Sequence, residues 1–577
     1  MLEIFKKIWR FAGEEQKNIK KSILLGFVNA IFHMMQIGAI FLTIQALVLG
    51  VTETRTSWFI FTILFISIAG KIATNYFSQL QQTHAGYFMA ANKRIYIGNK
   101  MKLIPMGFFN QSSLGNITGI CTTVLGDVEM TAPMVMVLTL GGFLTTIVFT
   151  IYMLIFDWRM GVITAIGVSL FCLITSSMEK KSRNTAPKRQ KAQAELVENM
   201  LEIIQGMGVV KSFNLSKIDH KKVDLAIEKS KNTNLAMESL ITPYNIMQEV
   251  ILRIFSIIMM AAALLFYFQG TMELTYSLMF IVVSFIVFEQ IESAGHGVAI
   301  LRVCGSSIDQ ANQIDHTPVM DEKGKARKTD THDITLEHVD FSYEQRQILK
   351  DVSVRIKDKT MTAIIGPSGS GKTTICNLIA RFWDVDKGKI SIGGTDIREY
   401  TLESLMDQMS MVFQSVYLFG DTIENNIRFG KPMASRQEVI VAAKKACCHE
   451  FIISLPQGYD TIIGENGFSL SGGEKQRISI ARAILKDAPI IIFDEATANV
   501  DPENEAHLQK AFEELTKDKT IIMIAHRLKT VRHADQIVVV EEGRVVQKGR
   551  HEELIRKDGI YKRFVSERTE AASWRVS

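Results

Sequence analysis

Disulfide scaffolding is the first architecture to drop out. The 577-residue chain has only six cysteines (Cys121, Cys172, Cys304, Cys376, Cys447 and Cys448), with neither the paired spacing of a metal site nor the density of a small secreted domain. They read as reduced thiols. The neighbours Cys447 and Cys448 read as ordinary packing rather than a redox pair, since free cysteine behaves as a small hydrophobe. A strong charge of one sign is also lacking: the net charge is +5, which by itself gives no reason to expect nucleic acid as a partner. Residues 1–21 do not read as a signal peptide. The apolar run after them is too long for an h-region and has no small-residue cleavage site, so it is expected to stay in the protein.

What the chain has in quantity is apolar. Hydrophobic residues make up 47% of it, crowding into the first half and thinning after about position 305. That distribution suggests a membrane part followed by a soluble part, and the length calls for at least two domains. About 20 apolar residues are needed to cross a bilayer as a helix. Six segments qualify, near 22–49, 57–79, 132–156, 160–177, 245–268 and 276–301. The links within successive pairs (Val51–Thr56, Asp157–Arg159, Gln269–Thr275) are short, and the connections between pairs are long.

Basic residues set an expected orientation. Lys6, Lys7, Arg10, Lys17, Lys20 and Lys21 precede the first segment, and Lys180, Lys181, Arg183, Lys188, Arg189 and Lys191 follow the fourth. The short links carry only Arg55 and Arg159. Both termini and both long connections are therefore expected in the cytoplasm. Those connections read as helices: Ala192–Val210 has helical apolar spacing and no proline. Residues 1–12 alternate apolar and basic side chains, as an amphipathic helix on a membrane surface would.

The expected organisation is an amphipathic segment over 1–21, a six-helix membrane domain over 22–313, a polar linker over 314–333 and a second domain over 334–577. In the last, strand-like runs (Ile334–Phe341, Thr362–Ile365, Pro489–Phe493, Thr520–Ile524, Gln536–Val540) alternate with helical ones. That is an α/β pattern, so the fold class is an α-helical transmembrane domain followed by an α/β phosphate-loop domain.

Residues Gly366 to Thr373 match the phosphate-binding loop G-x-x-x-x-G-K-[ST], after a strand and at the start of a helix. Glycines let successive backbone N–H groups converge on one concavity, and the helix N-terminus adds positive potential. Gly366, Ser368, Gly369, Ser370, Gly371, Lys372, Thr373 and Thr374 are the expected nucleotide contacts. Lys372 would reach the β- and γ-phosphates of ATP and the Thr373 hydroxyl would bind Mg²⁺. A second acid-ending apolar strand, Ile490 to Asp494, places Asp494 as another Mg²⁺ holder, and Glu495 beside it as general base for the attacking water.

The run Leu470-Ser471-Gly472-Gly473-Glu474-Lys475-Gln476 resembles the signature of ATP-binding cassette (ABC) ATPases, and the other landmarks follow in that family's order. Tyr343 resembles the aromatic that stacks on adenine, and Gln414 the loop glutamine that joins Mg²⁺ to the membrane domain. His526 resembles the switch histidine that contacts the γ-phosphate. Asp501 closes a D-loop whose first positions, Ala498 and Asn499, depart from the usual Ser-Ala. The stretches 105–127 and 202–213 resemble the cytoplasmic loops of exporter-type members, and Gly464 to Gly467 the segment that touches them.

The resemblance implies that ATP is held between two ATPase domains, with Lys372 and Glu495 of one facing Ser471 and Gly473 of the other. The chain has one copy of each, so it needs a partner: a second copy of itself or a similar half-transporter. The implied activity is ATP hydrolysis coupled to transport across the lipid bilayer, and the absence of an organelle-targeting segment favours a bacterial plasma membrane as the expected location. Export of a hydrophobic or amphipathic small molecule is favoured. Residues 501–505 and Ser573-Trp574-Arg575 also look like iron-siderophore transport halves, which leaves chelate import open. An ATP-gated channel is a rival that Glu495 and His526 speak against. Intramembrane polar groups are functional suspects: His33, Gln36, Lys71, Asn75, Glu249, Arg253, Glu289, Glu292 and His296. Lys71 and Glu289 are expected at similar depth and able to pair, as are Glu249 and Arg253 at i, i+4.

Overall fold

The computed structural model describes all residues except 1, 51–52, 110, 183–184, 214–219, 321–323, 465–469, 495–501, 526–527 and 575–577. It divides into two compact units: Met1–Lys102 with Phe109–Thr317, and Leu103–Phe108 with Pro318–Ser577.

The first unit is helical: α1 (Leu2–Ala12), α2 (Gln16–Val48), α3 (Thr54–Met101), α4 (Gln111–Gly119), α5 (Leu125–Phe156), α6 (Trp158–Ser182), α7 (Ala186–Gln205), α8 (Met207–Ser212), α9 (His220–Phe268), α10 (Leu274–Ser284) and α11 (Glu289–Gln313). Six helical segments among the described residues are long and apolar enough to cross a membrane. Helices α3 and α9, at 48 and 49 residues, run far past the apolar stretches that seeded them. Their polar continuations keep helical periodicity, and α9 runs on through Pro243, which lies inside it. Residues 16–21, assigned from sequence to the amphipathic segment, are instead the first turns of α2.

The sixth span differs from expectation. It is two helices, α10 and α11, separated by four turn residues at 285–288. Packing within the unit depends on small residues, because apolar surface gains little by leaving lipid for a neighbouring helix. A Cβ on Gly86 would lie 2.1 Å from the Glu129 carbonyl oxygen, and one on Gly142 would lie 2.7 Å from both Ala294 Cβ and the Gln290 carbonyl. Side-chain hydrogen bonds fix register between α2 and α3: Ser22 with Ser78 Oγ at 2.7 Å, and Asn29 donating to the Lys71 carbonyl at 2.9 Å. A π-turn at Ile120–Val124 opens the backbone, and Arg94 Nε donates to the Cys121 carbonyl there at 2.9 Å. The same guanidinium pairs with Glu129 at 2.7 Å.

The second unit is built on two sheets. One has order β2-β1-β4-β5, from β1 (Ile334–Tyr343), β2 (Arg346–Ile356), β4 (Lys387–Ile392) and β5 (Thr395–Asp396), all antiparallel. The other has order β10-β9-β3-β8-β7-β6, from β3 (Met361–Ile365), β6 (Met409–Val412), β7 (Ile490–Asp494), β8 (Thr520–Ile524), β9 (Gln536–Glu541) and β10 (Arg544–Gly549). Its strands are parallel except β10, which returns antiparallel as a hairpin through Gly543 at φ +80°. Strands β3, β7 and β8 are almost wholly buried, as expected when a parallel sheet is covered on both faces. The helices are α12 (Lys372–Ile379), α13 (Leu402–Met406), α14 (Ile423–Arg428), α15 (Arg436–Lys445), α16 (His449–Ser454), α17 (Gly472–Lys486), α18 (Pro502–Thr516), α19 (Leu528–Arg532), α20 (His551–Leu554) and α21 (Ile560–Trp574). Residues 103–108, between α3 and α4, pack within this unit. Met106 N–H donates to the Phe382 carbonyl at 3.0 Å, and a Cβ on Gly107 would stand 2.5 Å from Trp383 Nε1.

Candidate nucleotide site

The parallel strands β3, β7 and β8 end together, and the carboxyl ends of such strands are where open α/β sheets bind ligands. Strand β3 delivers the chain into Gly366, β7 ends at Asp494, and β8 pairs its last residue, Ile524, with Asp494. Just past β8, Ala525 N–H donates to the Ile364 carbonyl of β3 at 3.2 Å.

The loop after β3 takes a shape that requires glycine at three places. Gly366, Gly369 and Gly371 have φ of +152°, +78° and +104°. A Cβ at Gly366 would fall 2.0 Å from the Val540 carbonyl oxygen, and one at Gly371 2.6 Å from Leu349 Cδ2. Gly371 caps α12, with Lys372 as its first residue and Thr373 exposed beside it. The Lys372 side chain is folded back over the loop, its Nζ donating to the Gly366 and Pro367 carbonyls at 3.0 and 2.8 Å. Ser370 Oγ is buried with no hydrogen-bond partner. A tight glycine cradle, a lysine held over it and an orphaned hydroxyl together suit a phosphate ligand. Ser368 and Thr374 flank the same loop, the first exposed and the second buried.

Asp494 is partly buried at the mouth of β7. Its charge lies close enough to the Cys376 thiol of α12 to oppose that thiol's ionisation, although burial is the larger cause. Asp494 thus stands by the helix that carries Lys372 and Thr373, as an acid sharing a cation with Thr373 must. Tyr343, at the end of β1, packs edge-on against Trp383 and Phe341, with ring centroids 5.2 and 4.9 Å away. Glu495, Asp501 and His526 lie outside the described residues, as do Glu465 to Gly467.

Ser471 caps α17 in a reciprocal box: Glu474 N–H donates to Ser471 Oγ, and the Glu474 carboxylate accepts from Ser471 N at 2.8 Å. Because Glu474 takes up Ser471's own N–H, the first turn of the helix holds its shape. Gly473 is buried in that turn. Sequence reasoning missed what this helix does further along. Gln476 Nε2 donates to the Phe413 carbonyl at 3.4 Å, and Arg482 Nη1 to the Tyr417 carbonyl at 2.9 Å. Gln414 lies on the loop between those two carbonyls. Arg482 also reaches Asn426 Oδ1 at 2.6 Å, and burial lowers its pKa to about 10. Gln476 and Arg482 are two of several polar residues on this helix, and their acceptors are remote in the chain, so no local pattern singled them out.

The helical unit holds its charges differently. Arg253 lies 4.0 Å from Glu249, as the i, i+4 spacing implied, and 3.6 Å from Glu292 of α11. Lys71 and Glu289 make no ion pair with each other among the described residues. Cys448 is buried, its thiol donating to the Ala443 carbonyl, as expected of packing.

Comparison with known proteins adds to this geometry. Residues 349–498 match the family model described as ABC transporter, and residues 21–291 match the model for the ABC transporter transmembrane region. An ATP-dependent lipid A-core flippase of Legionella pneumophila is 36% identical over 475 residues, covering 79% of this chain and 78% of that one. A multidrug export ATP-binding/permease protein of Bacillus subtilis is 31% identical over 582 residues, covering 97% and 98%. A solved bacterial Atm1-family ABC exporter with ATP bound superposes with a TM-score of 0.86 at 25% identity, over 96% of this chain and 99% of that one. None of these three is described as a siderophore transporter, so that alternative gains no support.

Proposed function

Since the chain belongs to the ABC transporter family, as a multi-pass, ATP-binding exporter half, we propose that two such halves form the working transporter and move an amphipathic compound. The observation that carries this reading is the join of six membrane-length helical segments to a unit with one phosphate loop and one signature helix. One loop and one signature helix do not make a two-sided site, so each chain must lend Ser471 and Gly473 to the loop of the other. The D-loop departs at Ala498 and Asn499, but every catalytic residue that the family's motifs call for is in the sequence, so a second copy of this chain can complete the site.

In this reading the loop amides and Lys372 hold the β- and γ-phosphates, Tyr343 lies against the adenine, and Asp501 and His526 line the same nucleotide. Thr373, Gln414 and Asp494 are the residues that would hold Mg²⁺, which when bound neutralises phosphate charge. Glu495 takes a proton from the attacking water. The basic residues flanking α2 and α6 support a cytoplasmic ATPase unit and cytoplasmic termini, in a bacterial plasma membrane. Lipid A-core and multidrug cargo among the relatives, with the apolar spans, support an amphipathic substrate.

The test is ATP turnover by the full chain, purified alone in lipid, beside Glu495→Gln. Activity that disappears in the variant, with ATP binding retained, is expected of a complete homodimeric site. ATP binding without turnover in the unaltered chain would instead require a different half as partner. Near-normal hydrolysis by the variant would reject Glu495 as the base.

A further inference from the structure

The break in the sixth span begins at a charged belt. Glu289 opens α11 directly after the turn residues 285–288, and it is exposed. It lies 15 residues from the start of α10 at Leu274, about 23 Å along the span at 1.5 Å per residue. On α2, His33 is also 15 residues from its helix end at Val48, about 23 Å. On α3, Lys71 is 17 residues from the helix start at Thr54, about 26 Å. All three distances run from the same, short-link end of the bundle, so the three side chains stand at similar distances along their helices.

They also share one neighbourhood. Asn29, one turn before His33, donates to the Lys71 carbonyl, and Ser67 donates to the Phe32 carbonyl at 2.7 Å, which sets His33 beside Lys71. His33 feels the charges of both Lys71 and Glu289. Its Nδ1 is buried without a hydrogen-bond partner. Among the described residues neither Lys71 nor Glu289 has an ion-pair partner, whereas the nearby Arg253 has two, Glu249 and Glu292. Uncompensated charges at this depth cost several kcal/mol and persist where they line a wet cavity or meet a ligand. Broken helices at membrane depth are likewise tolerated where they face such a cavity.

We propose that His33, Lys71 and Glu289 form a headgroup site for a zwitterionic amphiphile, its acidic group on Lys71 and His33 and its amine on Glu289. This rests on the export reading for its place in a transport cycle, but not for binding itself. A singly charged headgroup would leave one of the two opposite charges unmatched. A neutral one would leave both. A zwitterion satisfies the set, while its chain lies along the apolar faces of the spans.

The test uses lysolipids sharing one fluorescent acyl chain and differing only in headgroup: phosphoethanolamine, phosphoglycerol, trimethylammonium and an uncharged glycerol. Binding is read by fluorescence anisotropy with the full chain in nanodiscs. The phosphoethanolamine probe is expected to bind about tenfold tighter than either singly charged probe. Lys71→Met should bring it down to the affinity of the trimethylammonium probe, leaving that probe's own binding intact. Glu289→Gln should do the converse with the phosphoglycerol probe. The retained probe reports folding in each variant, and Lys71→Arg should restore the preference. A stronger preference for either singly charged probe, or variants without effect, overturns the site. ATP-driven movement of the preferred probe in proteoliposomes is scored separately. Its failure with the binding pattern intact would count against export, and not against the headgroup site.

Discussion

The Gln476 side-chain amide donates to the Phe413 carbonyl at 3.4 Å, one residue before Gln414. With Arg482 on the Tyr417 carbonyl at 2.9 Å, α17 grips the Gln414 loop from both sides. The helix whose first turn carries the signature therefore also positions the loop assigned to Mg²⁺. Ser471 and the loop that holds Gln414 are thereby joined through one helix.

Gln476→Ala is expected to slow ATP turnover several-fold while leaving ATP affinity within about twofold. The lost hydrogen bond is neutral and worth about 0.5–1.5 kcal/mol, too little to unfold the unit. Parallel measurement of turnover and nucleotide affinity checks this. An equal fall in both would mean that the contact serves binding alone.

Arg381 is 4% exposed and donates to the Ile397 carbonyl at 3.2 Å and the Tyr400 carbonyl at 3.0 Å, with Asp384 at 3.0 Å on Nε. Nη2 also donates to the Met320 carbonyl, so Arg381→Met would strand three backbone acceptors and one acid. A loss of about 3 kcal/mol is expected, seen as a clearly lower Tm of the full chain. A Tm equal to that of the unaltered protein would show that water replaces the guanidinium there.

Gly86→Ala places a methyl 2.1 Å from the Glu129 carbonyl oxygen, so α3 and α5 must separate. Overpacking of this kind costs about 1–3 kcal/mol, and the shift would also strain the Arg94–Glu129 pair. Lower thermal stability in lipid is the expected result, and Gly98→Ala, where a Cβ meets nothing within 4 Å, is the matched control.

Burial pushes the Cys448 thiol up from 9.0 to about 12. The folded unit therefore keeps the thiol neutral where an unfolded chain would ionise it. Below pH 9 this group adds no pH dependence; between pH 9 and 12 stability falls as the unfolded thiolate becomes favoured. In the native chain at pH 8 Cys448 is expected to resist alkylation, and to react at a normal rate in denaturant. Rapid native labelling of Cys448, located by mass spectrometry, would refute its burial.

Some of this was legible from local pattern. Apolar runs long enough to span a bilayer gave the six segments, and the strand runs of the second unit fall within a residue or two of β1, β3, β7, β8 and β9. The phosphate loop could be read because its glycines are demanded by local backbone shape: Gly366, Gly369 and Gly371 all adopt positive φ. The break before Glu289 was not legible. Phe285 to Phe288 continue the apolar run of α10, and no glycine or proline marks the turn. The expected pairing of Lys71 with Glu289 failed because equal depth does not imply contact across a bundle.

The sequence by itself determined the family, the two kinds of structure and the chemistry of the phosphate loop, because each is written in neighbouring residues whose spacing the backbone must obey. Only the tertiary structure decided which distant groups meet. The Phe413 and Tyr417 carbonyls reach α17 across some sixty residues of chain, and Arg253 finds Glu292 on another helix. The same packing brings His33, Lys71 and Glu289 into one neighbourhood, where among the described residues His33 Nδ1 has no hydrogen-bond partner and neither Lys71 nor Glu289 has an ion-pair partner. Such meetings depend on helix packing and sheet order, which no local spacing encodes.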